Sequence, residues 1–306
     1  MVETTAWWGA LVLVGVLAIL AAAATAFDAV LAARVAGRTV RTAAVEPLRD
    51  VAGLLLQQRR RTLAADGLLW RSAGVVLLVA AVFASAVTPL GRWAVADLDV
   101  GVVWFNAMEI LAWAAVWLAG WGPNSAFSLV GGYRFVAQGL AYELPHMFAL
   151  TTVAVGAGSL RVADVVGAQG KLWFVVWMPV AFAVYLVSVL AMSFARPFDQ
   201  AVGSDLAGGA VAELSGVDRL VFEAGRKVLL VSGAAMAVPL FLGGGAGPLL
   251  PDWSWSLVKT AAVLAVLVWV GRGTPTIRLE RFMEVAWMVL IPATLIQALV
   301  VSVVVS

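Results

Sequence analysis

The stretch AWWGALVLVGVLAILAAAATAF, residues 6–27, contains no charged side chain and is long enough to cross a lipid bilayer as one helix. A spanning helix needs about 20 mostly apolar residues, because the hydrocarbon core of a bilayer is about 30 Å thick. The apolar run is not broken by alternating polar residues, which favours a helix over a strand of a membrane β-barrel. This segment therefore predicts an integral membrane protein.

The composition of the whole chain leads to the same class. Of its 306 residues, 63% are hydrophobic and 12% are charged, and the mean hydropathy is +0.98. A soluble domain is about 45–50% apolar and about 25% charged, so a soluble enzyme, a secreted disulfide scaffold and a disordered protein are excluded. The chain has no cysteine and one histidine. It therefore has no thiolate ligands for an iron–sulfur cluster and no nucleophilic cysteine, and we expect no metal site.

Further apolar segments extend this prediction to an all-α integral membrane protein. We expect a single membrane domain, residues 1–306, built as a bundle of about eight transmembrane helices. The segments after the first are residues 72–88, 103–121, 133–155, 172–194, 227–242, 256–271 and 284–306. Two long cytoplasmic loops, residues 28–71 and 195–226, connect some of them. Residues 50–61 in the first loop predict an amphipathic helix at the membrane interface.

The basic residues predict the orientation of the bundle. All but four of the 20 lysine and arginine residues fall on one predicted side, the exceptions being Arg92, Arg161, Lys171 and Lys259. The positive-inside rule places the basic side in the cytoplasm. We therefore expect a multi-pass protein of the cell's inner (plasma) membrane with both termini outward. This asymmetry explains the isoelectric point near 9.3 without a nucleic acid partner.

Ionisable residues inside a spanning segment are costly and usually functional. Arg134, Gln138 and Tyr142 are spaced i, i+4, i+8 and share one helix face, with Glu143 just off that face. A carboxylate at this depth is desolvated, which suits it to proton exchange. The alternative is a buried Arg134–Glu143 pair that only stabilises packing.

A second group of acids lies in the loop before the sixth predicted helix. Neighbouring carboxylates can pass protons to one another, whereas the alternative is a solvated loop. The members of this group are Asp199, Asp205, Glu213, Asp218 and Glu223.

Three further polar residues stand alone in the apolar segments. Glu109, with Asn106 one turn earlier, is interpreted either as part of a proton relay or as a hydrogen-bonded neutral acid. His146 is predicted to be a packing residue, with proton exchange as the alternative. Lys259 is predicted to extend its amine to the membrane interface.

Several motifs in the same order resemble one family. Residues 119–125 (AGWGPNS), followed by Gly131, Arg134, Gln138, Tyr142 and Glu143, resemble the third-to-fourth helix signature of the respiratory complex I subunit 1 family, which includes the bacterial NADH-quinone oxidoreductase H subunit. The loop elements RPFD, SDL and ELSG at residues 196–199, 204–206 and 213–216 resemble its acidic loop. Pro47, Leu48, Asp50 and residues 54–56 resemble its amphipathic helix. The resemblance spans about residues 28–300.

The resemblance implies a subunit of a proton-pumping NADH:quinone oxidoreductase that is not catalytic alone. Such a subunit binds no cofactor covalently, and its substrate is a quinone that reaches an iron–sulfur cluster in a neighbouring peripheral-arm subunit. Antiporter-like membrane subunits are the other implied partners. By position, the quinone chamber and proton path would use Asp50, Arg134, Gln138, Tyr142, Glu143, Asp199, Asp205 and Glu213, with Arg134 as the counter-charge.

Two departures from the family pattern keep an alternative open. Residues 200–203 (QAVG) replace two glutamates of the family, and Arg226–Lys227 stands where an acid is expected. A basic residue there resembles the membrane subunit of energy-converting hydrogenases and formate hydrogenlyase, which need not bind a quinone. A stand-alone ion transporter is a different class, against which the absence of an internal repeat argues. A purely structural anchor would leave Glu143 and Arg134 unexplained.

Overall fold

The computed structural model describes residues 2–305, and helices make up most of this part of the chain. The helices are α1 (Trp8–Val35), α2 (Val40–Ala43), α3 (Glu46–Leu56), α4 (Gly67–Ser85), α5 (Gly101–Trp121), α6 (Ala126–Ala157), α7 (Val162–Ala168), α8 (Phe174–Trp177), α9 (Pro179–Met192), α10 (Gly216–Phe241), α11 (Asp252–Gly273), α12 (Leu279–Val285) and α13 (Ile291–Val305). Two short strands, β1 (Glu3–Thr4) and β2 (Trp93–Ala94), pair in parallel. The predicted all-α class is confirmed.

Long apolar helices make this a multi-pass membrane protein. Within residues 2–305, six helical segments are long and apolar enough to span a bilayer: α1, α4, α5, α10, α11, and α12 joined to α13 through a π-helical turn. Helix α6, counted with α7 after a bend of 63°, makes a seventh. The predicted segment 172–194 instead forms α8 and the 14-residue α9. Pro179, which has no backbone N–H, stands at the start of α9 and separates the two helices.

The centre of the bundle is α10, which contacts α4, α11, α9 and α1. Within its most apolar window 78% of residues are buried, against 17% for α1 on the outside. The predicted span 227–242 covers only the apolar part of α10, which starts at Gly216. The first three turns carry charged residues, which lower the hydropathy of this part of the helix; of these, Asp218 lies 3.6 Å from Arg59 of the first loop.

Small residues allow the helices to approach closely. A Cβ atom placed on Gly120 of α5 would lie 2.8 Å from the Cα atom of Gly132 on α6. A Cβ on Gly225 of α10 would lie 2.9 Å from the backbone nitrogen of Leu78 on α4. Glycine at these contacts brings backbones together, as is common in membrane helix pairs. The α5–α6 contact is the one that positions the candidate site.

The amphipathic helix of the first loop is α3, and its bounds differ from the predicted residues 50–61. It starts at Glu46, with Pro47 in its first turn, and it ends at Leu56, because Gln57 is extended. Proline is favoured in a first helical turn, where its missing N–H costs no bond. Leu55 and Leu56 are 57% and 87% exposed, as an apolar face that lies on a membrane would be.

Lys259 binds the backbone of the loop between α10 and α11. Its Nζ donates to the backbone carbonyls of Leu242, Gly244 and Ala246 at 2.7, 2.9 and 2.8 Å. It also lies 4.1 Å from the ring centre of Trp173. The residue is only 8% exposed, so its amine is bound by the loop at the ends of α10 and α11 rather than by solvent. Three carbonyls that would otherwise lack donors hold the amine inside.

Candidate functional site

A buried polar cluster lies between α5 and α6 and comprises Asn106, Glu109, Glu143 and His146. Glu109 and His146 have side chains that are 1% and 0% exposed, and the Glu109 Oε2 lies 3.1 Å from the His146 Nε2. The imidazole stacks on Tyr185 of α9, with ring centres 5.2 Å apart. Among residues 2–305, neither group has a hydrogen bond of good geometry. The short distance between the two groups, rather than a well-aligned hydrogen bond, therefore couples them.

Glu143 completes the cluster from α6. Its Oε1 accepts a hydrogen bond from the Asn106 Nδ2 at 3.0 Å, while its Oε2 is buried with no partner in the described part of the chain. Each helix supplies two residues at i, i+3 spacing, which places them on one face. The two glutamates, which sequence reasoning treated as separate sites, are therefore brought together, and His146 joins them. The sequence did contain a signal for this cluster: two consecutive predicted helices each carry a pair of polar residues at i, i+3 spacing.

Tyr142 and Gln138 hold α6 to its neighbours. The Tyr142 hydroxyl accepts a hydrogen bond from the Trp113 Nε1 at 2.6 Å. The Gln138 Nε2 donates to the backbone carbonyl of Ala191 on α9 at 2.7 Å. Both side chains are buried. Tyr142 thus lies beside the buried polar cluster, whereas Gln138 connects α6 to α9.

Arg134 pairs with the loop after α9 and not with Glu143. Its Nη1 lies 2.7 Å from the Asp205 Oδ2 and also donates to the backbone carbonyl of Gln200 at 3.2 Å. The Arg134 and Asp205 side chains are 27% and 57% exposed. The alternative of a buried Arg134–Glu143 pair is therefore wrong. The shared face of α6 begins in solvent at Arg134 and enters the core only further along.

The other predicted acids have separate partners. Asp199 accepts from the Thr276 Oγ1 at 2.9 Å and from the Arg196 Nε at 3.3 Å. Glu213 accepts from the Ser125 Oγ at 3.0 Å. No hydrogen bond joins two of the loop carboxylates among residues 2–305. They therefore form single contacts to different elements rather than one cluster.

Asp50 lies apart from the buried polar cluster. It is exposed on α3 and has no hydrogen bond or ion pair within residues 2–305. No group of three or more metal-ligating side chains suited to an ion was found in the same range.

A second polar feature, which we call the charged cavity, lies between α1, α10, α11 and the segment after α9. Its volume is about 130 Å³, and its charged lining residues are Asp28, Arg196, Asp199, Arg226, Lys227 and Arg272. Asp28 and Arg272 form a two-contact ion pair, with oxygen–nitrogen distances of 2.6 and 2.9 Å. Sequence reasoning named Asp199 as a site residue and Arg226–Lys227 as a departure from the family pattern. It could not show that these residues meet Asp28, Arg196 and Arg272, because the cavity is formed by three helices and a loop that are distant in sequence.

The charged cavity and the buried polar cluster are connected through packed helices. Tyr185, which stacks on His146, donates a hydrogen bond from its hydroxyl to the carbonyl of Gly233 on α10 at 2.9 Å. Arg226 and Lys227 of the charged cavity lie on the same helix. A displacement of α10 would therefore change the packing at both the charged cavity and the buried polar cluster.

The fold and these two features define a class: a multi-pass α-helical membrane protein with paired acids in its interior and a charged cavity at one end of its central helix. The family model for NADH dehydrogenase matches residues 8–302. The chain therefore belongs to this family, the one that contains the NADH-quinone oxidoreductase H subunit. The resemblance found in the motifs is confirmed.

Individual relatives agree with this assignment. The chain is 35% identical over 268 residues to the NADH-quinone oxidoreductase H subunit 2 of Geobacter sulfurreducens, covering 84% of this chain and 81% of the relative. It is equally similar, over the same shares, to the H subunit 2 of Syntrophobacter fumaroxidans. The corresponding H subunit 2 of Rhodopseudomonas palustris is 34% identical over 259 residues, again with 84% and 81% coverage.

Proposed function

We propose that this chain is a membrane-arm subunit of a proton-pumping NADH-quinone oxidoreductase of the complex I type, in which it forms the quinone-access chamber and links quinone reduction to proton translocation. The observation that carries the proposal is the buried polar cluster, in which Glu109, Glu143 and His146 lie together at membrane depth. The names of the relatives support the same assignment.

In this proposal the chain supplies no redox centre. Electrons arrive from an iron–sulfur cluster of a peripheral-arm neighbour, and antiporter-like neighbours receive the coupling signal. The charged cavity is the proposed quinone-access chamber, because its lysine and arginines offer donors to quinone oxygens and Asp199 lines its wall. Reduction of a quinone places negative charge there until protons arrive. In a medium of low dielectric constant, such a change in charge strongly alters the electrostatic energy of nearby ionisable groups.

Helices α9 and α10 are the proposed connection from the chamber to the buried polar cluster. The hydrogen bond from Tyr185 to Gly233 and the stacking of Tyr185 on His146 join the two helices to the cluster. The cluster contains groups that can take up or release a proton, and several of their polar atoms have no protein partner among the described residues. A proton held there could therefore move without breaking a strong existing hydrogen bond.

Glu143→Gln in the assembled complex tests this function. Glutamine keeps an amide oxygen that can accept from Asn106, so assembly should persist, whereas the proton-binding carboxylate is lost. We expect quinone-linked proton pumping to be abolished in sealed vesicles energised with NADH. Glu3→Gln, at an exposed position on β1, is the matched control and should pump normally. Normal pumping by Glu143→Gln would refute the proposal.

A second candidate function rests on one observation. Arg226 and Lys227 bring extra positive charge to the charged cavity, as in the membrane subunits of energy-converting hydrogenases or formate hydrogenlyase that the sequence also resembles. The chain would then be the membrane anchor or ion-translocation subunit of such a complex. The proteins that co-purify decide between the two. An NADH-oxidising flavin subunit supports the first function, and a nickel-containing large subunit supports the second.

A further inference from the structure

The two acids that line the charged cavity, Asp28 and Asp199, already have cationic partners, and so does Glu223, which pairs with the lining residue Arg226. Asp28 is engaged by Arg272 through two contacts. Asp199 accepts a hydrogen bond from Arg196, and Glu223, one helical turn from Arg226, lies 3.3 Å from that guanidinium. Three arginines thus pair with three carboxylates. The net charge of these six residues is zero, and one further charged residue remains.

Lys227 is that last residue. It lines the charged cavity and is partly buried, yet its amine has no hydrogen bond or ion pair within residues 2–305. The charged groups that act on it are Glu223 and Arg226 on its own helix, Asp28 on α1 and Arg272 on α11. Each of these is already paired, so the ammonium carries the surplus positive charge of the group. A partly buried charge without its own counter-ion is costly.

Lysine and arginine differ in how they can relieve this cost. Arginine stays charged in a protein, whereas a lysine in such surroundings can release its proton and become a neutral amine. The three arginines are held in ion pairs and can act only as fixed charges. Lys227 is thus the cation of the charged cavity that can change its charge, and the neighbouring cavity gives solvent a route to it.

We propose that Lys227 is a proton-exchanging group of the charged cavity, binding a proton when a negatively charged quinone species occupies the chamber and releasing it when that species leaves. The step is a reversible proton transfer: one Nζ–H bond breaks and a water molecule in the cavity receives the proton. No electron moves in it. The inference rests on the proposed function. The family pattern has an acid near this position and this sequence does not, and we assign the proton exchange to the lysine instead.

A series of substitutions at this position separates proton exchange from a fixed charge. Lys227→Arg keeps the charge but cannot release it, and Lys227→Met has no charge. Both should reduce quinone-linked proton pumping in the assembled complex by at least about tenfold. Lys227→His keeps a titratable group and should restore part of the pumping, with the pH–rate profile moved toward lower pH. Lys171→Arg, at an exposed position between α7 and α8, is the matched control.

The outcomes distinguish this inference from the proposed function. If Glu143→Gln stops pumping and Lys227→Arg pumps normally, the proposed function stands and the inference is overturned, because a fixed positive charge is then sufficient. If Glu143→Gln also pumps normally, the proposed function fails first. Partial recovery in Lys227→His together with loss in Lys227→Arg supports proton exchange.

A measurement on the unmodified complex does not depend on the folding of any variant. Acetic anhydride modifies neutral amines and not ammonium groups. We expect mass spectrometry to find Lys227 acetylated faster in the oxidised complex than in the NADH-reduced complex, with Lys171 unchanged as an internal reference. Equal rates in the two states, or no labelling of Lys227 in either, would overturn the inference.

Discussion

The carboxylate of Glu109 lies 3.1 Å from the imidazole of His146, in a place where neither side chain is more than 1% exposed. An isolated ion is costly at such a place, because no water compensates its charge. The contact therefore favours keeping the two side chains together. It links α5 to α6 and, through the stacking of His146 on Tyr185, to α9.

Breaking this pair on one side should cost more than replacing both sides. His146→Phe keeps an aromatic ring against Tyr185 but leaves Glu109 without its partner. We expect it to lower the free energy of unfolding by roughly 3–5 kcal/mol. The double substitution Glu109→Met, His146→Phe removes both polar groups and should recover most of that loss. Thermal unfolding in detergent measures the cycle, and strictly additive effects would contradict the pairing.

The Arg134–Asp205 pair should matter little for stability and more for function. Because Asp205 is exposed and Arg134 is partly exposed, this is an ion pair of the kind that contributes about 0–1 kcal/mol. Arg134→Gln also removes the hydrogen bond to Gln200, so it should disturb the loop more than Asp205→Asn does. We expect a larger fall in quinone reduction for Arg134→Gln at nearly unchanged unfolding temperature. Equal effects of the two substitutions on activity would count against a positioning role for this arginine.

Lys259→Met should destabilise the connection between α10 and α11. The substitution leaves three carbonyls without their donor, and hydrogen bonds to charged groups contribute about 1.5–3 kcal/mol each. We expect a loss of at least about 3 kcal/mol in the free energy of unfolding, seen as a lower unfolding temperature. Lys171→Met, at an exposed lysine, should leave that temperature almost unchanged. A similar shift for both variants would show that the three contacts do not stabilise the loop.

Gly120→Val should separate α5 from α6. An added Cβ would meet the backbone of Gly132 at 2.8 Å, and overpacking typically costs about 1–3 kcal/mol. Because the buried polar cluster lies between these two helices, we also expect lower proton pumping. Gly15→Val on α1 has nothing within 4 Å of its added Cβ and is the matched control. Stability equal to that of the control would mean that the two helices do not need this close approach.

The positions of the helices were predicted more accurately than their ends, breaks and contacts. Hydropathy placed the start of one span at residue 227, whereas α10 begins at Gly216. Of the charges before residue 227, Asp218 lies 3.6 Å from Arg59 of the first loop, and Glu223 pairs with Arg226 on the same helix. The segment 172–194 is apolar throughout its second half but is divided at Pro179. The partners of the Lys259 amine are carbonyls of the loop between α10 and α11, which the sequence alone does not indicate.

The amino-acid sequence by itself determined that this is a membrane protein, that it is helical, roughly where most of its spans lie and to which family it belongs. These properties depend on stretches of neighbouring residues and on the order of motifs along the chain. Each can be evaluated without knowing which helices contact one another. Only the tertiary structure decided which charges meet: Arg134 with Asp205, 71 residues away, and Arg272 with Asp28, 244 residues away. The physical reason is that the partner of a charge is selected by packing between elements that are distant in sequence, and no local pattern records that packing.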